Sequence, residues 1–249
     1  MNKLMKITSH VPMADILHHN YLLLPILYRF DIPLGVGDKS IKTVCEENGA
    51  NVDFFIEIVN SFGNPDYFPK DTLQLFPASV IVDYLKKTHT YYLDIKVPQV
   101  ERQIQELLSN CKPANRKNLE LVQQFFNGYR NELSNHIQRE EDRVLPYILE
   151  IEDALQKQKV SEALLKKIRT YSIDDFADEH DNVEDKLFDL KNIIIRYLPP
   201  VQNRVLCQDM LMDIFRLERD LNDHSRIEDK VLVPKVRSME REVLKMKQG

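Results

Sequence analysis

Two short segments of this 249-residue chain carry the residues best suited to chemistry: His136-Ile-Gln-Arg-Glu140 and His224-Ser-Arg-Ile-Glu228. On a helix, positions i and i+4 share one face, so each segment aims an imidazole and a carboxylate at the same region of space. Neutral imidazole together with carboxylate suits divalent first-row metals, and a carboxylate can bridge two ions. Glu140 and Glu228 are therefore expected as bridges, with His136, His180 and His224 as terminal ligands and His89 as the contribution of an earlier helix. A single His-x-x-x-Glu is commonly a surface pair worth about 0.3 kcal/mol. It is the repetition, with a His on each other long helix, that points to a metal. Glu141, Asp142 and Asp229 are expected to face solvent, with support of the ligands from behind as the alternative.

Four long helical patterns must hold these groups. The first runs from Ala78 towards Asn110, with Pro98 as a kink or late start. The second spans about 116–157. The third opens at Ser172, an N-cap followed by acidic residues, and stops before Pro199. The fourth covers about 202–245 and bends near Pro234. His136 to Pro146 and His224 to Pro234 form a weak internal repeat: His-x-x-x-Glu, a Val-Leu pair, and a Pro ten residues after the His. Long helices with short connections favour an antiparallel four-helix bundle, here pseudo-symmetric. Upstream, residues 1–62 read as a small helical unit, punctuated by the Pro and Gly of 31–37 and by Asn48-Gly49, with Ser40 as an N-cap. Residues 63–77 read as a linker whose aromatics, Tyr67, Phe68 and Phe76, pin it to a neighbouring core; the bundle follows as 78–249.

Composition narrows the function classes. Six Gly, no Trp and abundant Leu, Lys, Glu and Asp favour an all-α fold. A net charge of -5 gives no footprint for nucleic acid. Cys45, Cys111 and Cys207 are too few and too scattered for a disulfide framework, which fits a reduced, cytoplasmic setting. The N-terminus lacks the apolar run of a signal peptide. The apolar stretch Tyr21 to Tyr28 is broken by Pro25 and far too short to span a membrane. The sequence is compatible with a monomer or a homodimer.

Taken together, these motifs resemble the hemerythrin-like family, and more narrowly its di-iron proteins that repair iron–sulfur clusters. The segments around His136–Glu141 and Asp223–Glu228 resemble the family's two His-x-x-x-Glu helices, and Asp178-Glu-His180-Asp resembles its isolated His segment. The stretches 13–17, 29–32 and 39–49 resemble the small domain that precedes the bundle in repair proteins. Where that domain carries Cys-Cys-Gly-Gly, this chain has Pro33-Leu34-Gly35-Val36-Gly37, so thiol chemistry there is not expected. The family's His-His pair on the first bundle helix is His89-Thr90 here. A further family His falls near Cys111, a substitute thiolate or, more in keeping with a lone Cys, a small apolar residue. Tyr92, one turn after His89, is a weaker candidate as a phenolate ligand, against its reading as a core tyrosine.

The resemblance implies two non-haem iron ions, although zinc and manganese accept the same ligands. It also implies repair of iron–sulfur proteins damaged by oxidative or nitrosative stress. The competing class is a binding module that senses O2 or NO, or stores iron, without turnover. A third reading, a bundle whose metal site has decayed, sits poorly with the retention of both Glu140 and Glu228.

Overall fold

The computed structural model describes residues 6–62, 64, 66–178 and 185–246; these are helical throughout, with no strand among them. The N-terminal part holds α1 (Met13–His19), a 3-10 turn (Tyr21–Leu23), α2 (Leu24–Arg29), α3 (Ile41–Glu47) and α4 (Val52–Ser61). Its boundaries follow local chemistry. Ser40 caps α3 by accepting from Thr43 N at 3.2 Å, and Asn51 caps α4 by accepting from Phe54 N at 2.9 Å. Gly49, at φ +69°, takes the left-handed turn that follows α3.

The connector contains a short helix, α5 (Lys70–Leu73), whose Leu73 is fully buried. Phe68 and Phe76 pack on the same core, and Tyr67 donates to Glu57 at 2.7 Å.

Three long rods follow, each broken by a π-helical turn. The first is α6 (Ala78–Thr90), a π turn at Tyr91–Lys96, and α7 (Val97–Ser109). The second is α8 (Pro113–Arg139), a π turn at Glu140–Val144, and α9 (Leu145–Gln156). Between it and the third lie α10 (Glu162–Thr170), α11 (Ile173–Asp178) and α12 (Asp185–Tyr197). The third rod is α13 (Arg204–Ile227), a π turn at Glu228–Leu232, and α14 (Val233–Met246). The helix α10 has no counterpart in the sequence reading, and α11 and α12 are the described parts of the third helix expected from Ser172 onward; residues 179–184 lie outside the described residues.

The π turns have a common cause. A proline inside a helix cannot donate to the carbonyl four residues back, and its ring crowds that carbonyl. Pro98, Pro146 and Pro234 each sit just beyond a π turn, and the carbonyls they would crowd, those of Asp94, Asp142 and Lys230, all lie within one. The wider turn accommodates the ring. Its i→i+5 bonds are explicit: Val97, Leu145 and Val233 N–H donate to the carbonyls of Tyr92, Glu140 and Glu228. The Lys230 carbonyl accepts instead from Gln74 Nε2 in the connector, at 3.1 Å.

Packing divides into two apolar cores. One gathers the N-terminal helices with α6, α9, α10 and α14, through residues such as Ile26, Phe54, Leu85, Ile148 and Val236. The other gathers α7, α8, α12 and α13, through Val100, Phe126, Leu190 and Ile214. Within the second, α7 and α12 each pack on both α8 and α13. The rods pass from one core to the other near their π turns. No helix among the described residues is long and apolar enough to cross a membrane.

Candidate metal centre

The boundary between the two cores is polar. His89 lies between the core residues Leu85 and Tyr91 of the first rod. His136 and Glu140 lie between Leu133 and Val144 of the second, and His224 between Leu221 and Ile227 of the third, with Glu228 next along. Each rod thus presents its ligand-type residues where it changes core. Glu140 and Glu228 are themselves the first residues of π turns, features that recur at functional sites.

His89, Glu140, His224 and Glu228 converge. Each offers one ligand atom such that all four atoms lie within 4.8 Å of one another, and all four residues are buried. His89 Nε2 is 3.2 Å from Glu140 Oε2 and 3.3 Å from His224 Nε2. His224 Nε2 is 3.1 Å from Glu228 Oε1. The other oxygen of Glu140, Oε1, lies 3.2 Å from His136 Nε2. Glu140 therefore faces two different imidazoles with its two oxygens.

These contacts conflict with one another as long as both carboxylates are ionised. With both carboxylates ionised, Nε2–H groups on both rings would press His89 and His224 together donor to donor. Removing either proton sets a nitrogen lone pair against a carboxylate, Glu140 for His89 or Glu228 for His224. A cation among the four atoms resolves the conflict, because every lone pair then has a use. The donor set, two imidazoles and two carboxylates, fits a divalent metal.

The residues around the cluster hold it in place. Glu141 Oε1 sits 3.0 Å from His89 Nδ1, the supporting role that stood as the alternative to its solvent-facing reading; Asp142 and Asp229 are exposed. Glu141 follows Glu140 in a π turn rather than an α turn, a placement that helical periodicity does not anticipate. Burial disfavours a charged His89, but Glu140 and Glu141 outweigh it and raise the imidazole to about 9. The hydrogen bond to His89 in turn holds the Glu141 carboxyl below its usual value.

A buried cation lies alongside, unforeseen from sequence. Arg29 of α2 is 2% exposed, donates to Tyr84 Oη at 3.1 Å, and pairs with Asp220 of α13. Its guanidinium lies over the rings of Tyr84, Tyr91 and Tyr92, at 5.7, 5.4 and 5.7 Å from their centroids. The one sequence signal was an Arg in a helix that is otherwise Leu-Pro-Ile-Leu-Tyr.

Of the expected ligands, the structure brings together His89, Glu140, His224 and Glu228, with His136 on the far oxygen of Glu140. His180 lies outside the described residues. Tyr92 is buried with its ring edge-on to His224 at 5.8 Å, and is not one of the four converging donors. Burial and then Asp220 push its phenol well above the usual tyrosine value, which disfavours a phenolate there. Cys111 follows α7, beyond its last residue Ser109, where it packs on the second core away from the cluster, as a small apolar residue does. No family model matches this chain, and no curated protein matches it at a meaningful level.

Proposed function

We propose that this chain holds a non-haem di-iron centre and serves the repair of iron–sulfur clusters under oxidative or nitrosative stress. The observation that carries the metal part is the buried convergence of His89, Glu140, His224 and Glu228, whose contacts conflict while both carboxylates are ionised. A second ion is supported by Glu140, which turns one oxygen to His89 and the other to His136. In this reading His89, His224 and Glu228 hold one ion, His136 stands by the other, and Glu140 bridges. The packing of α7, α8, α12 and α13 around the second core supports the accompanying fold, an antiparallel four-helix bundle.

Iron is proposed over zinc or manganese because the motif set resembles that of hemerythrin-like repair proteins; the ligand types accept all three. Bound iron supplies redox change, diatomic-ligand binding and metal release. The chain's own part is to keep water from the donors by burial, to fix His89 through Glu141, and to bridge through Glu140. The partners proposed are damaged iron–sulfur proteins, with O2 and NO as the small ligands. The second reading, an O2 or NO sensor or iron store, draws on the segment Pro33–Gly37, which stands where repair proteins carry a cysteine pair.

Metal analysis of protein purified without air tests the centre: about two irons per chain are expected. Iron-loaded protein should reactivate a damaged iron–sulfur enzyme, and Glu140→Ala should not. Reversible O2 or NO binding without reactivation would favour the sensor, and a protein that takes up no metal would end both readings.

A further inference from the structure

His89 and His224 both turn Nε2 to the centre, but their outer nitrogens meet different surroundings. Nδ1 of His89 is held by Glu141. Nδ1 of His224 is buried with no hydrogen-bond partner. If Nε2 is committed to a metal, Nδ1 carries the ring's hydrogen and is a donor. A buried donor left unpaired is costly.

Three other buried atoms nearby share this condition: Asp220 Oδ1, Arg29 Nε and Tyr92 Oη. Their residues touch in sequence around His224. Asp220 lies one turn before it on α13, and so on the same helix face. The Tyr92 ring stands edge-on to the His224 ring. Arg29 lies over Tyr92 and bonds the other oxygen of Asp220. Two of the four orphaned atoms bring hydrogens, the Asp220 oxygen accepts, and the phenol does either.

We propose that Asp220, held by Arg29, positions His224 through its Nδ1–H by way of one buried water, so that the N-terminal helical unit is a working part of the metal centre. This rests on the metal reading above and deepens it. The water accepts from His224 Nδ1–H and Arg29 Nε–H, and donates to Asp220 Oδ1 and Tyr92 Oη. That satisfies all four atoms and gives the water the full set of bonds that buried waters take. A carboxylate behind a ligating imidazole fixes its tautomer and raises its basicity, and losing one costs about 10–100-fold in metal affinity. Asp220, Arg29 and Tyr92 are positioning residues; none reaches the metal.

Two variants of the full chain test this. Tyr92→Phe removes one hydroxyl and keeps the ring. Arg29→Met/Asp220→Leu removes the ion pair without leaving an unpaired charge. Zinc is the probe, because it is diamagnetic and accepts these ligands. In nitrogen-resolved proton spectra, the His224 Nδ1–H of the zinc-loaded wild type should appear protected from exchange. In Tyr92→Phe it should exchange faster, and in the double variant it should vanish, with zinc affinity about 10-fold weaker. A purely structural role would change melting and leave that signal and the affinity alone; this outcome overturns the proposal. A wild type that takes up no zinc would sink the metal reading, whereas a zinc-loaded wild type without that protected signal would overturn the positioning alone.

Discussion

Arg29→Met should be among the most damaging single substitutions in this chain. Arg29 and Asp220 are 2% and 5% exposed, and they come from segments 191 residues apart. Removing the guanidinium strands a buried carboxylate, which costs about 3–5 kcal/mol in comparable pairs. Tyr84 Oη loses its partner as well, and three rings lose the cation above them. The side chains of Met and Arg fill similar space, so little of the loss is cavity. For a chain of this length the melting temperature should fall by roughly 6–20 °C. Changing both partners, Arg29→Met/Asp220→Leu, should recover about 2 kcal/mol or more, because an apolar pair needs no charge compensation. Urea unfolding of the wild type, both single variants and the double variant closes the cycle. A single-variant loss under about 1 kcal/mol, or a double variant no better than the sum of the singles, would refute the reasoning.

Other outcomes follow from the same contacts. Glu228→Ala should lose most of whatever metal the wild type takes up, measured by metal analysis; unchanged content would remove Glu228 from the proposed ligand set. Chelator-treated protein should lose stability as pH rises. His89 is raised from 6.5 to about 9 on folding, so its contribution is complete below about pH 6.5 and disappears as pH climbs through about 9. The span is at most about 3 kcal/mol, and chemical denaturation at pH 6.5 and pH 9.5 reads it. Metal-loaded protein, with Nε2 taken, should not show that fall. Ser40→Ala should cost about 1 kcal/mol by uncapping α3, seen as a small drop in the unfolding midpoint.

What could be read from sequence was what helices encode locally. The pairs His136–Glu140 and His224–Glu228 sit one turn apart, and helical periodicity alone puts each on one face. The caps at Ser40 and Asn51 and the break at Gly49 are likewise short-range. His89 joined the cluster because the packing of α6 brings it to His224, 135 residues away. The Arg29–Asp220 pair was invisible for the complementary reason: nothing local marks an Arg as buried until its partner arrives. Pro98 and Pro234 read as kinks, but the π turns that absorb all three prolines, and with them the placement of Glu141 against His89, depend on backbone bonding that a regular helical pattern does not contain.

Each π turn inserts an extra residue into its rod, and one residue rotates a helix by roughly 100°. The stripe of side chains that fills one core is therefore out of phase with the stripe that fills the other. Excising a single position, Arg143 or Lys230 for instance, would take the extra residue out of the rod and set the ring of Pro146 or Pro234 against the carbonyl four residues back. It would also swing Leu145 and Ile148, or Val233 and Val236, away from the interior they now occupy. The liganding layer is thus a joint between two phases of the same helices, and the chain cannot straighten there without giving up one of its interiors.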